Sequence, residues 1–107
     1  MTPEQTARTV KVLNQIGWPI SLYFDGHYWL HEFNGSNIDA VVLAENHLRQ
    51  WLESKWEQVA HTTRGGEHIL MLGYYTRPQP EVELKNTDYL DMLLMAVERT
   101  LEQENTK

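Results

Sequence analysis

The chain has 107 residues and no cysteine. That absence removes disulfides, thiolate nucleophiles and cysteine-ligated zinc together, and it fits a reducing compartment such as the cytoplasm. Cations are scarce. Nine Lys and Arg stand against fifteen Asp and Glu, giving a net charge of −6, and no Lys or Arg occurs between Lys11 and Arg49. Phosphate backbones are held by clustered cations, so direct nucleic-acid binding is not expected; a protein partner with a basic surface is the better match for this charge. No apolar run approaches the roughly 20 residues of a membrane span. The opening Met1-Thr2-Pro3-Glu4 has neither the basic nor the apolar region of a secretory signal. A soluble, cytoplasmic protein without membrane contact is expected. GxGxxG, the phosphate-binding P-loop, HExxH and the GxSxG elbow are all missing, so no cofactor, no metal ligand set and no catalytic residue is predicted.

What the chain does have is apolar and aromatic weight. Hydrophobic residues make up 41%, with four Trp and five Tyr, which argues for a folded chain. The length suits one domain, residues 1–107, large enough to bury a core without staples.

Helix signals open and close the sequence. Thr2 and Gln5 make a capping-box pattern around Pro3, Ala7, Val10, Leu13 and Ile16 recur at helical spacing, and Gly17 is a natural terminator. Leu43–Lys55 reads as a second helix, buried along Leu48, Trp51 and Leu52 with Ala44 and Lys55 at the margins. "IDAVV" (38–42) reads either as a short strand or as the first turns of that helix. The last helix follows a cap at Asn86 or Thr87, with Leu90, Leu94, Val97 and Leu101 as its stripe. Seven of the fifteen acids but only three cations lie beyond residue 80, which makes this end locally anionic; a solvated helix face is the plain explanation.

Between the helices lie strands. The stretch "SLYFDGHYWLHEF" (21–33) contains Asp25-Gly26, a two-residue turn signal that makes 19–24 and 27–33 a hairpin. Opposed residues share a face, so Ile20, Leu22, Phe24, His27, Trp29, His31 and Phe33 point to the core. Tyr23, Tyr28, Leu30 and Glu32 point away and form the predicted binding face, since aromatic-rich, charge-poor surfaces suit protein interfaces. "EHILMLGYY" (67–75) is too apolar for a strand with one wet face. It pairs with "WEQVAHTT" across the Arg64-Gly65-Gly66 turn, and "EVELK" (81–85) alternates as a further strand. The whole is α+β: an N-terminal helix, a β-hairpin, a helix, further antiparallel strands and a C-terminal helix, with the helices packed on a mainly antiparallel sheet.

Five histidines raise metal and acid–base chemistry. His27 and His31 share a strand face but stand roughly 13 Å apart, while His47, His61 and His68 fall in three different segments. An acid–base pair of His31 with a carboxylate across the sheet stays open as an alternative.

Residues 3–55, through "VLNQIGWP", "ISLYFDGHYWLHEF" and "DAVVLAENHLRQWLES", resemble the phage ABA sandwich domains. The resemblance implies a phage or prophage origin and a non-catalytic role, and it transfers no functional residues. Together these readings point to a small acidic protein that acts by protein–protein binding, for instance as a phage-type inhibitor of a host nucleic-acid enzyme. The alternatives are a homo-oligomeric module, such as a homodimer paired through the outer hairpin face, and a small hydrolase with a His–carboxylate site.

Overall fold

A computed structural model of the chain describes residues 3–17, 28–29 and 38–105. Helix α1 spans Pro3–Gln15, followed by two short strands, β1 (Tyr28–Trp29) and β2 (Ile38–Asp39). Helix α2 spans Ala40–Lys55, strands β3, β4 and β5 span Gln58–Arg64, Glu67–Gly73 and Val82–Asn86, and helix α3 spans Tyr89–Asn105. The class is α+β, with β3, β4 and β5 forming an antiparallel sheet in that order. Among the described residues no helix is long and apolar enough to cross a membrane.

The three-stranded sheet follows from its sequence. Gly65 and Gly66 adopt φ of 60° and 79°, the two positive values that a tight two-residue hairpin loop needs to match strand twist. That loop sets the register, opposing Arg64 with Glu67 and His61 with Leu70. The apolar run "ILML" becomes the central strand, as its composition requires. Side chains alternate, so Leu70 and Leu72 enter the core with Val82 and Leu84 of β5.

The helices stack on that face in two layers. Helix α2 packs beside α3 and reaches β3; α3 reaches β4 and β5; among the described elements α1 touches α2 and α3 but no strand. This placement corrects two expected stripes. Helix α3 lies between the sheet and α1, so Met92, Leu93, Ala96 and Thr100 are buried as well as Leu90, Leu94 and Val97, while Leu101 is half-buried. Helix α1 buries Thr9, Val12 and Leu13; Ala7 is exposed and Val10 half-buried, a rotation of the stripe by part of a turn. The Thr9 hydroxyl donates to the Gln5 carbonyl at 2.7 Å, which lets a polar residue enter the core. Gly17, with φ of 87°, ends the helix as expected.

Helix α2 begins at Ala40, so "IDAVV" divides: Ile38–Asp39 is strand and the rest is helix. Ala44 is fully buried with Leu48 and Leu52, Trp51 is half-buried and Lys55 is exposed. The α3 cap also differs from expectation. The Asp91 amide donates to Asp88 Oδ1 at 3.0 Å, which makes Asp88 the cap, and the Asp88 amide donates to Asn86 Oδ1 at 2.9 Å. Strand β1 pairs antiparallel with β2, Tyr28 opposite Asp39 and Trp29 opposite Ile38. The other expected strand of the hairpin, 19–24, the loop 34–37 and the Thr2 cap lie outside the described residues.

Candidate functional site

Alternation along the sheet leaves its second face without helices among the described residues. Opposite to Leu70 and Leu72 point Ile69 and Met71, half-buried and outside the main core cluster. The register places Thr62 and Lys85 beside Ile69, and Ala60 and Glu83 beside Met71. Thr62, Glu83 and Lys85 are exposed. An apolar centre with a polar rim is the layout of a small protein interface.

The 74–81 connection closes one end of this face. The Arg77 amide donates to the Tyr74 carbonyl at 3.1 Å, a tight turn, and the Glu81 amide returns to the Leu72 carbonyl at 2.9 Å. The returning loop passes close to Gly73, where a Cβ would stand in ordinary contact, 3.4 Å from Pro80 Cα. The Arg77 guanidinium lies over the Tyr74 ring, 5.6 Å from its centroid, and pairs with Glu81. Tyr74 packs on Trp56 with ring centroids 5.4 Å apart. Trp56 is anchored in turn, its indole N–H donating to Thr100 Oγ1 at 3.1 Å. A hollow of about 200 Å³ opens between the loop and the sheet, lined by Gln58, Ala60, Met71, Tyr74, Arg77 and Pro80 among others. Next in the chain, Tyr75 is 74% exposed.

On the helix side of the sheet, the β3–β4 hairpin assembles a polar aromatic cluster. His61 Nε2 and His68 Nδ1 share a hydrogen bond of 2.9 Å, and the Tyr89 ring packs on both imidazoles, at 4.5 Å from His61 and 5.3 Å from His68. Arg49 Nη1 donates to the Tyr89 hydroxyl at 3.4 Å, and Arg49 Nε to Glu53 at 3.3 Å. Burial first, then His68 and Arg49, hold the His61 imidazole below its ordinary pKa. Burial does the same to His47 on α2. The hydrogen bond to Tyr89 is the leading reason that the Arg49 guanidinium is raised. Among the described residues no three metal-ligating side chains come together. The two histidines had seemed to lie in separate segments. They are diagonal neighbours once the register is set, so the hairpin and the Gly-Gly loop together carried the signal for their meeting.

The acids of α3 are largely paired. Arg8 reaches across from α1 to grip Glu98 with Nε and Nη2 of its guanidinium, and its Nη1 lies 3.8 Å from Asp91; its bond to Glu98 is the main reason its pKa is raised. Gln5 donates to Asp91 at 2.9 Å, and Lys55 meets Glu104 at 3.1 Å. Of the binding residues expected from sequence, Tyr28 has its backbone on β1. Tyr23, Leu30 and Glu32 lie outside the described residues, as do His27 and His31. The face around Ile69, Met71 and Tyr75 was missed because "EHILMLGYY" reads as a strand buried on both sides; the half-burial of Ile69 and Met71 comes from helices covering one side only. Compared with known proteins, the chain matches no family model, no curated protein and no solved structure.

Proposed function

We propose that this chain is a small, non-catalytic binding protein that holds a protein partner on the open face of its sheet and the adjoining 74–80 loop. Tyr75 carries the reading: a large aromatic left 74% exposed on the loop whose Tyr74, Arg77 and Pro80 line a hollow together with Met71. Tyr, Arg and Met are the residue types over-represented at interfaces, and Tyr and Arg at their energetic centres. The loop is held by the Tyr74–Trp56 stack, the Arg77–Glu81 pair and the Glu81–Leu72 hydrogen bond. A loop fixed in advance loses little freedom on binding.

The net charge of −6 favours a basic partner and speeds encounter with it. Because Glu53, Glu81, Asp91, Glu98 and Glu104 each have a cation close by, the reading rests on the aromatic face rather than on a bare acidic surface. Inhibition of a host nucleic-acid enzyme, in keeping with the resemblance to phage ABA sandwich domains, is one task that such a binder performs.

Cross-linked capture from the native lysate tests the reading, with wild type beside Tyr75→Ala and Met71→Asp. Both variants should lose at least about tenfold in partner recovered, with the melting temperature of Tyr75→Ala unchanged. Equal recovery by all three refutes the assignment of this face. Loss with Tyr28→Ala instead moves the interface to the hairpin.

A further inference from the structure

Strand β3 is an edge strand: among the described residues it pairs with β4 alone. Such edges are normally blunted by charge, proline or bulges. Strand β5, at the other edge, carries Glu83 and Lys85 and follows Pro80 closely. Strand β3 has neither guard along its first six residues, for Gln58, Val59, Ala60, His61, Thr62 and Thr63 contain no charge and no proline; its one charge is Arg64, at the last position. Seven residues long and uncharged over six of them, it is a template for another strand.

We propose that the occupant is a second copy of this chain, paired antiparallel along β3 about a two-fold axis at His61, which joins two sheets into one of six strands. Three observations select this arrangement. All seven residues of β3 find a counterpart only when His61 stands on the axis; Ala60 then faces Thr62, Val59 faces Thr63 and Gln58 faces Arg64 of the second copy. Opposed residues share a face, and each of these pairs joins residues that already lie on the same side of the sheet, so the helices of both copies remain together on one side. The charges also complement one another. Glu57 precedes the strand and Arg64 is its last residue, both exposed, and neither forms an ion pair among the described residues. Antiparallel pairing sets each Arg64 opposite Gln58 and one residue away from Glu57 of the other copy, within reach of a long side chain, whereas parallel pairing would align Glu57 with Glu57. On the axis itself, His61 faces His68, Tyr89 and Arg49 within its own chain, surroundings that keep the imidazole neutral near pH 7 and leave no like charges opposed there.

A seven-residue ladder makes a small interface, so the dimer is weak and reversible. It uses the backbone edge of β3 rather than the face around Met71 and Tyr75, although Gln58 and Ala60 border both. The test exploits the lack of cysteine. Ala60→Cys and Thr62→Cys are prepared separately, and disulfide formation is followed for each alone and for their mixture. Directly opposed strand positions bring Cα atoms within disulfide range, and the offset positions do not. The mixture should cross-link at least about tenfold faster than either variant alone. Sedimentation of the wild-type chain from about 1 to about 500 µM should show mass rising from 12.6 kDa toward twice that value. A chain that stays monomeric throughout, as it would if the edge served another protein's strand, overturns the proposal. So does equal linking in all three samples, or faster linking of one variant alone.

Discussion

Removing the Thr100 hydroxyl while keeping the side-chain shape, as in Thr100→Val, should destabilise the protein through Trp56 rather than through Thr100 itself. Trp56 and Thr100 are 6% and 5% exposed, and the indole N–H has Thr100 Oγ1 as its acceptor at 3.1 Å. The hydroxyl also donates to the Ala96 carbonyl at 2.8 Å, but that carbonyl sits within the helix. Valine fills the same volume and strands the buried indole N–H. A buried donor left unsatisfied costs about 1–3 kcal/mol. A chain of this length unfolds with an entropy of about 0.22 kcal/mol/K, so the melting temperature should drop by about 4–14 °C. Trp56→Phe strands nothing, because Thr100 keeps its bond to Ala96; its cost of about 1–3 kcal/mol is lost packing. Combining the two removes the donor together with the acceptor. The double variant should therefore be more stable than the sum of the single losses by about 1–2 kcal/mol. Urea titration of the four proteins at one pH measures the cycle. If Thr100→Val lies within about 0.3 kcal/mol of wild type and the double variant is additive, the indole must reach water and the argument fails. Trp56 also supports Tyr74, so Trp56→Phe should weaken partner capture as well, linking the core to the binding face.

Stability should fall as pH drops from about 7 through the folded-state pKa values of His61 and His47, both of which lie below the ordinary imidazole value of about 6.5. In that window the unfolded chain binds more protons, so unfolding is favoured as acid is added; calorimetry above about pH 5.5, where carboxylates stay ionised, should show a slope that His61→Gln reduces, and an unchanged slope counts against the burial argument. Gly66→Val, which forces a β-branched residue to φ of 79°, should cost about 1–3 kcal/mol in a urea melt. A neutral result there would mean that the hairpin loop is not fixed in the conformation described.

The architecture was legible where one local rule decided the outcome. The Gly-Gly loop, the apolar run at 69–72 and the alternation of "EVELK" led directly to the β3–β4–β5 sheet, and Gly17 to the end of α1. The helix stripes were less legible because a periodic pattern records how much of a helix is apolar, not how many neighbours will cover it. Leu93, Met92 and Ala96 look like excess on a surface helix. They become necessary once α3 is enclosed by the sheet and by α1. The cap at Asp88 was hidden among three successive polar residues, Asn86, Thr87 and Asp88, any of which can accept from a helix amide; the choice is made by the exit path of β5.

The same distinction governs the candidate site. Ile69 and Met71 have the composition of core residues, and nothing local separates them from Leu70 and Leu72. Their exposure is a consequence of topology: α2 and α3 follow β2 and β5, both cross the same side of the sheet, and α1 adds a layer behind them instead of covering the other side. A chain that places all three described helices on one side must leave apolar residues of its central strand open, or find something else to cover them. The proposed partner face and the proposed pairing at the β3 edge both follow from that arrangement. Among the described residues the helices cover one face of a three-stranded sheet, and the second face has no described helix as neighbour and the β3 edge no described strand.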